Sequence, residues 1–281
     1  GHDVIVYDKG QRASGRLSDR RAGDGTPFQI GAPKINSWPN WAKRHVQDWI
    51  DRGFLEADGE NPESTLPHLL EYLGKGLVFR QHHRVDDVEV ESNRARLKIT
   101  SPEGPMEAYH DHVIVAVPLE QSKALIKATS IEVCGRSESC WVAWGPCSSS
   151  ITEVPKGWNL TRKGIDRETL EVRIDGVMCN TDMERSLPSM AAHVATTLGI
   201  NPEGWSAHLW RYSRPIDGPK NVIHQGPISI IGDAFGSPIG TAGGALDSAA
   251  RAVADLHCSI GWQPSVVQTN SRQTNFSEWE H

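Results

Sequence analysis

Asp8 is the first residue of this sequence whose side chain and position suggest a role in ligand binding. It ends the apolar run His2 to Asp8 (HDVIVYD) and is followed by Lys9-Gly10. A run this rich in β-branched residues is typical of a buried parallel strand. An acidic side chain at the end of such a strand can accept hydrogen bonds from the ribose hydroxyls of a dinucleotide. Taken alone, Asp8 fits a cap of the following turn better, because Asp side chains often bond to the backbone there.

Other candidate sets of reactive residues are incomplete. The Tyr-x-x-x-Lys pair of a short-chain dehydrogenase is missing, because Tyr72 has Gly76 at that spacing. A serine hydrolase needs Gly-x-Ser-x-Gly, whereas Gly236 to Gly240 (GSPIG) places its serine one position too early. His82-His83 and His110-Asp111-His112 fall on predicted strands or strand edges without a paired ligand set. We interpret them as solvated histidines and expect no metal site.

The segment Asp8 to Arg21 (DKGQRASGRLSDRR) carries a more specific signal. It resembles the strand end and Gly-Gly-Arg loop of the FAD-containing amine oxidase superfamily, in particular its renalase-like branch. Gly15 and Arg16 match that loop, while Ser14 replaces its first glycine. A glycine allows the backbone to approach a diphosphate, and an arginine presents a fixed fork of donors to it.

Two further segments extend this resemblance. Phe28 to Ile35 (FQIGAPKI) is similar to the family's Phe-Asp-His-Gly-Ala-Gln-Tyr-Phe passage near the flavin ring, with Gly31 and Ala32 kept. His208 to Pro215 (HLWRYSRP) closely resembles the renalase-like signature His-Arg-Trp-Arg-Tyr-Ala-x-Pro, with Leu209 in place of arginine. The last motif is the most discriminating one in the chain.

The resemblance implies which residues hold the cofactor FAD. Asp233 would accept a hydrogen bond from a hydroxyl near the diphosphate, and the helix that starts near Gly243 would direct its positive end at the flavin pyrimidine edge. The cofactor-binding residues implied in this way are Asp8, Lys9, Gly15, Arg16, Val85, Gly232, Asp233, Gly243, Gly244 and Ala245.

The same resemblance implies the reaction. A hydride would pass from a reduced nicotinamide nucleotide or an amine to the flavin, and dioxygen would then reoxidise it. The candidate catalytic residues are His208, Trp210 and Arg211, and the candidate walls of an aromatic pocket are Trp210, Trp141 and Trp144. On an alternating strand His208 and Arg211 face opposite sides, so at most one of them points at the ring.

A non-catalytic alternative remains open. The departures from the family passage between Gln29 and Lys34 favour a degenerate flavoprotein-like domain that binds a ligand or partner without redox turnover. Bound yellow chromophore that a reductant bleaches would separate the two possibilities.

The elements that must position these residues follow from hydrophobic spacing and turn residues. Helical spacing predicts a helix from Ser37 to Gly53 and a shorter one from Thr65 to Leu73. A strand should follow at Leu77 to Arg80. Val85 to Thr100 alternates around Ser92-Asn93, which predicts a two-stranded hairpin. The remaining predicted strands are His110 to Pro118, Cys140 to Trp144, Leu170 to Ile174 and Ile228 to Gly232, and the remaining helices are Ser189 to Leu198 and Gly244 to Leu256.

These elements favour an α/β fold with a Rossmann-type FAD-binding domain and an inserted mixed-sheet substrate domain. The first would comprise residues 1–36, 62–121 and 217–260, the second 37–61 and 122–216, followed by a polar tail at 261–281. Because Asp8 needs a Gly-x-Gly-x-x-Gly turn to define a ribose site, we expect the gene product to extend upstream by about one strand and one helix.

Composition limits the partners. The net charge of -6 is spread over 281 residues without a basic cluster, so we expect neither nucleic acid nor a membrane surface as partner, but a small molecule and dioxygen. The five cysteines show no CxxC pair or zinc spacing and are interpreted as free thiols in a reducing compartment: Cys134, Cys140, Cys147, Cys179 and Cys258. With no signal segment recognised, the expected location is the cytoplasm.

Overall fold

The computed structural model describes residues 2–12, 14–21, 27–28, 30–32, 35, 38–56, 66–147, 151, 153–163, 169–175 and 186–259. Within these ranges the chain is a mixed α/β protein. Its strands are β1 (Ile5–Tyr7), β2 (Arg20–Arg21), β3 (Pro27–Phe28), β4 (Val78–Arg80), β5 (Arg84–Glu91), β6 (Arg94–Ser101), β7 (Gly104–His110), β8 (Val113–Val115), β9 (Arg136–Pro146), β10 (Trp158–Lys163), β11 (Thr169–Asp175), β12 (Ser206–Asp217), β13 (Ile223–Gln225) and β14 (Ile228–Ile230). Its α-helices are α1 (Lys43–Asp51), α2 (Leu66–Leu73), α3 (Leu119–Leu125), α4 (Leu187–Thr197) and α5 (Ala242–Ser259).

Two short parallel strand pairs precede the two aspartates of interest. β1 pairs with β4, β8 pairs with β14, and β13 adds to β14 in the antiparallel direction. β14 is buried along its whole length, as expected of a strand in a covered parallel sheet. Asp8 follows β1 directly, and Asp233 comes shortly after β14.

Three antiparallel strands form a meander, in the order β5–β6–β7. Ser92 and Asn93 join the first two with φ angles of 50° and 64°. A two-residue hairpin turn needs this left-handed backbone, since its twist then matches that of the strands. The predicted hairpin is therefore confirmed.

A four-stranded antiparallel sheet, in the order β10–β11–β9–β12, is covered on one face by α4. Alternate side chains of β9, β11 and β12 pack with this helix in one apolar cluster, which includes Trp141, Ala143, Leu170, Val172, Ile174, Met190, Val194 and Ala207. Because strand side chains alternate, the intervening residues point to the opposite face. That face packs against Ile30.

The predicted helices are found, with small shifts at their ends. The first consists of the 3-10 turn Asn40–Ala42 and α1, the second is α2, and the last is α5. Ser37 and Thr65, the expected first residues of two of them, lie outside the described residues.

One predicted strand is shorter than expected. Of the run from His110 to Pro118, only β8 pairs in the parallel sheet. His110 instead completes β7, and Pro118 precedes α3 as its N-cap. The apolar run therefore spans three elements, because pairing partners rather than composition define where a strand ends.

Among the described helices, none is long and apolar enough to cross a membrane. No disulfide joins Cys134, Cys140, Cys147 and Cys258, the four cysteines within the described ranges. Cys179 and the tail at 261–281 lie outside them.

Candidate functional site

Arg16 and Asp233 form a two-pronged ion pair just after β14. The guanidinium donates from Nη1 to Asp233 Oδ2 at 2.8 Å and from Nη2 to Asp233 Oδ1 at 2.7 Å. Nη1 also donates to the backbone oxygen of Ser213 on β12 at 2.8 Å. Asp233 is 8% exposed, so little water reaches its carboxylate. The guanidinium of Arg16 compensates that buried charge. The pair thus joins three separate parts of the chain.

Close backbone packing at Gly31 holds the turn that carries Arg16. Gly15 begins this 3-10 turn with a φ of 46°. Ala32 donates its N–H to the Arg16 oxygen at 2.7 Å, and Gly31 donates to the Ser18 oxygen at 3.0 Å. A Cβ at Gly31 would lie 2.1 Å from the Arg16 oxygen, so this approach requires glycine. The two sequence segments that resemble the family near its N-terminal loop therefore build one structural unit.

Helix α5 begins beside Asp233. Gly240 donates its N–H to the Asp233 backbone oxygen at 2.9 Å. Thr241 caps the helix, since its Oγ1 accepts the N–H of Gly244 at 2.9 Å. The positive end of the helix dipole therefore lies close to the ion pair, where it favours negatively charged ligand groups.

The backbone N–H groups of the expected cofactor residues at this helix are largely engaged within the protein. Gly232 donates to Ser248 Oγ at 3.0 Å, and Ala245 donates to the Thr241 oxygen at 3.1 Å. Together with the bond made by Gly244, these contacts mean that the first turn of α5 can act on a ligand mainly through its dipole. Gly243 lies within this turn.

A cavity of about 340 Å³ borders the loop that connects Asp233 to α5. It is lined by Ile216, Asp217, Lys220, Gly236, Ser237 and Ile239. Sites for small molecules typically begin at about 300 Å³. Because most of these residues are exposed, the loop borders an open surface depression.

The sheet face opposite α4 presents the aromatic side chains expected near a substrate. The strand register places His208 beside Val142 and Trp210 beside Cys140. Trp210 Nε1 donates to the backbone oxygen of Ile30 at 2.6 Å. The His208 and Trp210 rings are 4.4 Å apart at 69°, in an edge-to-face arrangement. These contacts fix both rings against the segment that follows the Arg16 turn.

The other candidate residues divide between the two faces. Trp144 packs in the same cluster as Trp210. Trp141 is fully buried on the opposite face against α4, so it does not line this surface. Arg211 is exposed, beyond the point where the register of β12 shifts. Of the residues proposed for the aromatic site, His208, Trp210 and Trp144 share one face.

His208 is uncharged at neutral pH. Burial, and second to it the positive charge of Arg20, lowers the pKa of His208 below its ordinary value of 6.5. A neutral imidazole can donate one hydrogen bond and accept another, so His208 can orient a ligand without adding charge.

We expect protein stability to depend on His208 in mild acid. Because its pKa is lowered in the folded state, the unfolded chain binds the proton first, and stability present above about pH 6.5 is lost as the pH falls through the folded pKa. His208→Gln should reduce this loss, by at most about 1.4 kcal/mol per pH unit for one proton. Urea unfolding between pH 7.5 and 5 measures the free energy of unfolding as a function of pH. Replacement of the exposed His68 on α2 controls for the removal of a histidine. If His208→Gln lost stability with falling pH as steeply as the unaltered protein, His208 would not be the group responsible.

Asp8, Lys9 and Val85 lie in other surroundings. Asp8 Oδ1 accepts the N–H of Gly10 at 2.6 Å. Asp8 therefore caps the turn after β1, the second of the two roles predicted for it. Lys9 is exposed, and Val85 pairs with Ile99 in the meander. Among the described residues, no hydrogen bond or ion pair connects these three to the Arg16–Asp233 pair.

The structure adds residues that the sequence did not suggest. Ile30 and Ser213 contribute backbone oxygens, and Arg20 contributes the charge that acts on His208. Glu171 and Arg173 alternate with the apolar residues of β11 and pair at 3.0 Å, although Glu171 is only 3% exposed. The sequence could have indicated this last pair, because the two charged residues occupy alternate positions in an otherwise apolar strand.

The interpretation of the histidines as solvated is wrong for His110 and His112. His112 is half-buried and lies 2.6 Å from the hydroxyl of Ser229, and His110 lies 3.2 Å from the Tyr7 hydroxyl. Both rings are thus fixed by packing and hydrogen bonds. Within the described ranges, no group of three histidine, cysteine or acidic side chains is arranged to hold a metal.

No protein family model matches this chain, and no curated protein is similar to it in sequence. Solved structures do share its fold. CabE, an aromatic hydroxylase from angucycline biosynthesis, superposes with a TM-score of 0.56 at 16% identity, over 93% of this chain and 58% of CabE. The Diels-Alderase PyrE3 of pyrroindomycin biosynthesis has a TM-score of 0.56 at 15% identity, over 99% and 64%.

A third structure has the same fold. The anhydrotetracycline hydroxylase OxyS from Streptomyces rimosus has a TM-score of 0.50 at 14% identity, over 88% of this chain and 59% of OxyS. This chain therefore spans between 58% and 64% of the length of the three proteins. At such identities the likeness establishes a common fold.

Proposed function

We propose that this protein is a FAD-dependent oxidoreductase. The observation that carries the proposal is the Arg16–Asp233 pair, which stands at the N-terminus of α5 and is held by the two loops that resemble a flavin-binding family. A buried acidic group, a fork of donors and a positive helix end together suit a ligand with hydroxyls and a diphosphate.

The donor set of Arg16 fits such a ligand. Its contacts to Asp233 and Ser213 use three of the five N–H groups of a guanidinium. Among the described residues, the other two have no hydrogen-bond partner, and the side chain is 27% exposed. Arg16 would therefore hold the diphosphate of FAD, and Asp233 would accept from a neighbouring hydroxyl.

We further propose that the overall reaction oxidises a reduced nicotinamide nucleotide or an amine and reduces dioxygen to hydrogen peroxide. When bound, FAD supplies the two-electron acceptor between them. The partly exposed His208 and Trp210 on the sheet face opposite α4 would receive the donor, since flat aromatic side chains stack and orient a dihydropyridine without a dedicated acid or base. Trp144 is buried on the same face and would support Trp210 from within the core. The neutral His208 would contribute one oriented hydrogen bond.

The structures that share this fold bear on the non-catalytic alternative. Two are named hydroxylases and one a Diels-Alderase, so proteins of this fold differ in their reactions, and a site rather than a fold decides the activity. A flavoprotein-like domain without redox turnover is the second candidate. The two-domain Rossmann arrangement, with the four-stranded sheet as the substrate domain, belongs to the same proposal.

FAD retention tests the assignment of Asp233. Asp233→Asn should weaken FAD binding by about 10- to 100-fold, since a hydrogen bond to a charged group is worth about 1.5 to 3 kcal/mol. Quenching of FAD fluorescence on titration with the protein measures the affinity. Asp247→Asn is the matched control, because Asp247 is another carboxylate near the start of α5 and pairs with Arg251 instead. Equal affinity in both variants would count against the site.

Anaerobic mixing distinguishes the two proposed electron donors from each other, and redox activity from non-catalytic FAD binding. The FAD-loaded protein is mixed with dihydronicotinamide nucleotides and, separately, with simple amines, and flavin absorbance is followed. Bleaching by the dinucleotide supports the renalase-like reaction, whereas bleaching by amines alone supports an amine oxidase. Tight FAD binding without bleaching by any donor would establish the non-catalytic alternative.

A further inference from the structure

Arg251, in the third turn of α5, reaches back to the segment 234–240, which we call the Asp233 loop. Its Nη2 donates to the backbone oxygen of Phe235 at 3.0 Å and to Asp247 Oδ2 at 2.8 Å. Its Nη1 donates to Asn221 Oδ1 at 3.2 Å. The guanidinium thus contacts the Asp233 loop, its own helix and the turn between β12 and β13 at the same time.

The backbone oxygens of residues 232–235 all accept a hydrogen bond. Backbone N–H groups donate to the first three, at 3.0, 2.9 and 3.1 Å; in order, they are those of Phe235, Gly240 and Lys220. The fourth oxygen, that of Phe235, accepts from Arg251. Phe235 is 0% exposed, so little water could take the place of the guanidinium. Because an unpaired buried carbonyl is costly, loss of Arg251 would release this part of the loop.

The turn between β12 and β13 lies directly on the Asp233 loop. A Cβ at Gly218 would lie 2.7 Å from the oxygen of Ala234, so the two backbones are in close contact there. Arg251 reaches both segments, because it also binds Asn221 in this turn. β12 carries the aromatic face of the candidate site. Arg251 therefore fixes the Asp233 loop relative to the strand that bears that face.

We propose that Arg251 is a positioning residue for Asp233 in the FAD site proposed above, on which this assignment rests. Asp233 precedes Phe235 by two residues, so a shift of the Phe235 backbone oxygen would also reorient the Asp233 carboxylate. That carboxylate must face both Arg16 and a hydroxyl of the cofactor. Because Arg251 is paired with Asp247, it adds no net charge next to the site, and its contribution is geometric.

Arg251→Lys tests this role with a small change, and because the side chain is 38% exposed, the substitution should leave the fold intact. Lysine can keep the ion pair with Asp247, but it presents a compact ammonium in place of the planar fork that reaches the loop and the turn together. FAD affinity should fall by about 3- to 10-fold, the effect of losing one hydrogen bond. Quenching of FAD fluorescence measures it. Equal affinity of Arg251→Lys and the unaltered protein would overturn the proposal.

Arg52→Lys is the matched control for Arg251→Lys. Arg52 forms the same type of i,i+4 pair with Asp48 of α1, at 2.9 Å on the exposed surface, and its variant should bind FAD as tightly as the unaltered protein. In Asp247→Asn the amide oxygen can still accept from Arg251, so that variant should keep the loop contact and the affinity. The titrations contain no denaturant, so a loss of global stability alone would leave the FAD dissociation constant unchanged. The same loss of affinity in Arg52→Lys would contradict the role of Arg251.

The coupling between Arg16 and Asp233 can be measured without FAD. Urea unfolding of Arg16→Met, Asp233→Asn and the double variant gives the coupling free energy of the two side chains. In the Arg251→Lys background this coupling should fall to about half, since the carboxylate is no longer held toward Arg16. An equal coupling in both backgrounds would refute the positioning role. If the unaltered protein bound no FAD but the coupling still fell in Arg251→Lys, the proposed function would be wrong while the positioning of Asp233 by Arg251 would stand.

Discussion

Gly236→Ala should lower the free energy of unfolding by about 3 kcal/mol or more, the largest stability effect that we expect from a single added methyl group. A Cβ at this position would lie 1.7 Å from the backbone oxygen of Gly244, in the first turn of α5. Backbone atoms on both sides cannot move aside like a flexible side chain, so the loop after Asp233 must separate from the helix. Urea denaturation followed by circular dichroism measures the change.

Gly226→Ala is the matched control for Gly236→Ala. Gly226 has a φ of 58° with no atom within 4 Å of an added Cβ, so it isolates the cost of left-handed backbone, about 1 kcal/mol. If Gly236→Ala were no more destabilising than Gly226→Ala, the close approach between the loop and α5 would be wrong. FAD affinity should fall only in Gly236→Ala, because only that substitution displaces the segment next to Asp233.

Arg16→Met should destabilise the protein by about 2 to 4 kcal/mol. It leaves the Asp233 side chain, 11% exposed, without its cation and removes the donor to the Ser213 oxygen. Loss of one partner of a buried ion pair costs more than the pair itself contributes, because the remaining charge is uncompensated. The free energy of unfolding, measured in urea, should fall accordingly.

A double-mutant cycle assigns the cause. In Arg16→Met/Asp233→Asn the uncompensated charge is gone, so the double variant should be more stable than Arg16→Met alone. Arg52→Met breaks the exposed pair with Asp48 and should change the denaturation midpoint little. Additive effects of the two substitutions would show that Arg16 and Asp233 do not interact.

Sequence reasoning recovered elements whose signal is local. The hairpin followed from two residues that accept left-handed backbone at Ser92 and Asn93. Helix α5 followed from helical spacing after a glycine-rich segment, although it begins two residues earlier than expected. Such signals act between neighbours in the chain, so they can be read without knowledge of the fold.

Strands with weak alternation were harder to recognise. β13 is three residues long, and its pairing with β14 gives it a place in the sheet. β7 contains few apolar residues and is ordered by its register with β6. A strand of this kind owes its conformation to the strand with which it pairs, so its own residues carry little information.

For the candidate site, the residue types can be read from the chain alone: an arginine in a glycine turn, an aspartate after a buried strand and aromatic residues on alternating strands. The packing of the folded chain brings Arg16 to Asp233, which lies 217 positions away, while the carboxylate of Asp8 caps its own turn. It likewise places Trp144 on the same face as Trp210 and Trp141 against α4. The reason is that burial and ion pairing depend on which surfaces come together in space, and spacing along the chain does not specify that.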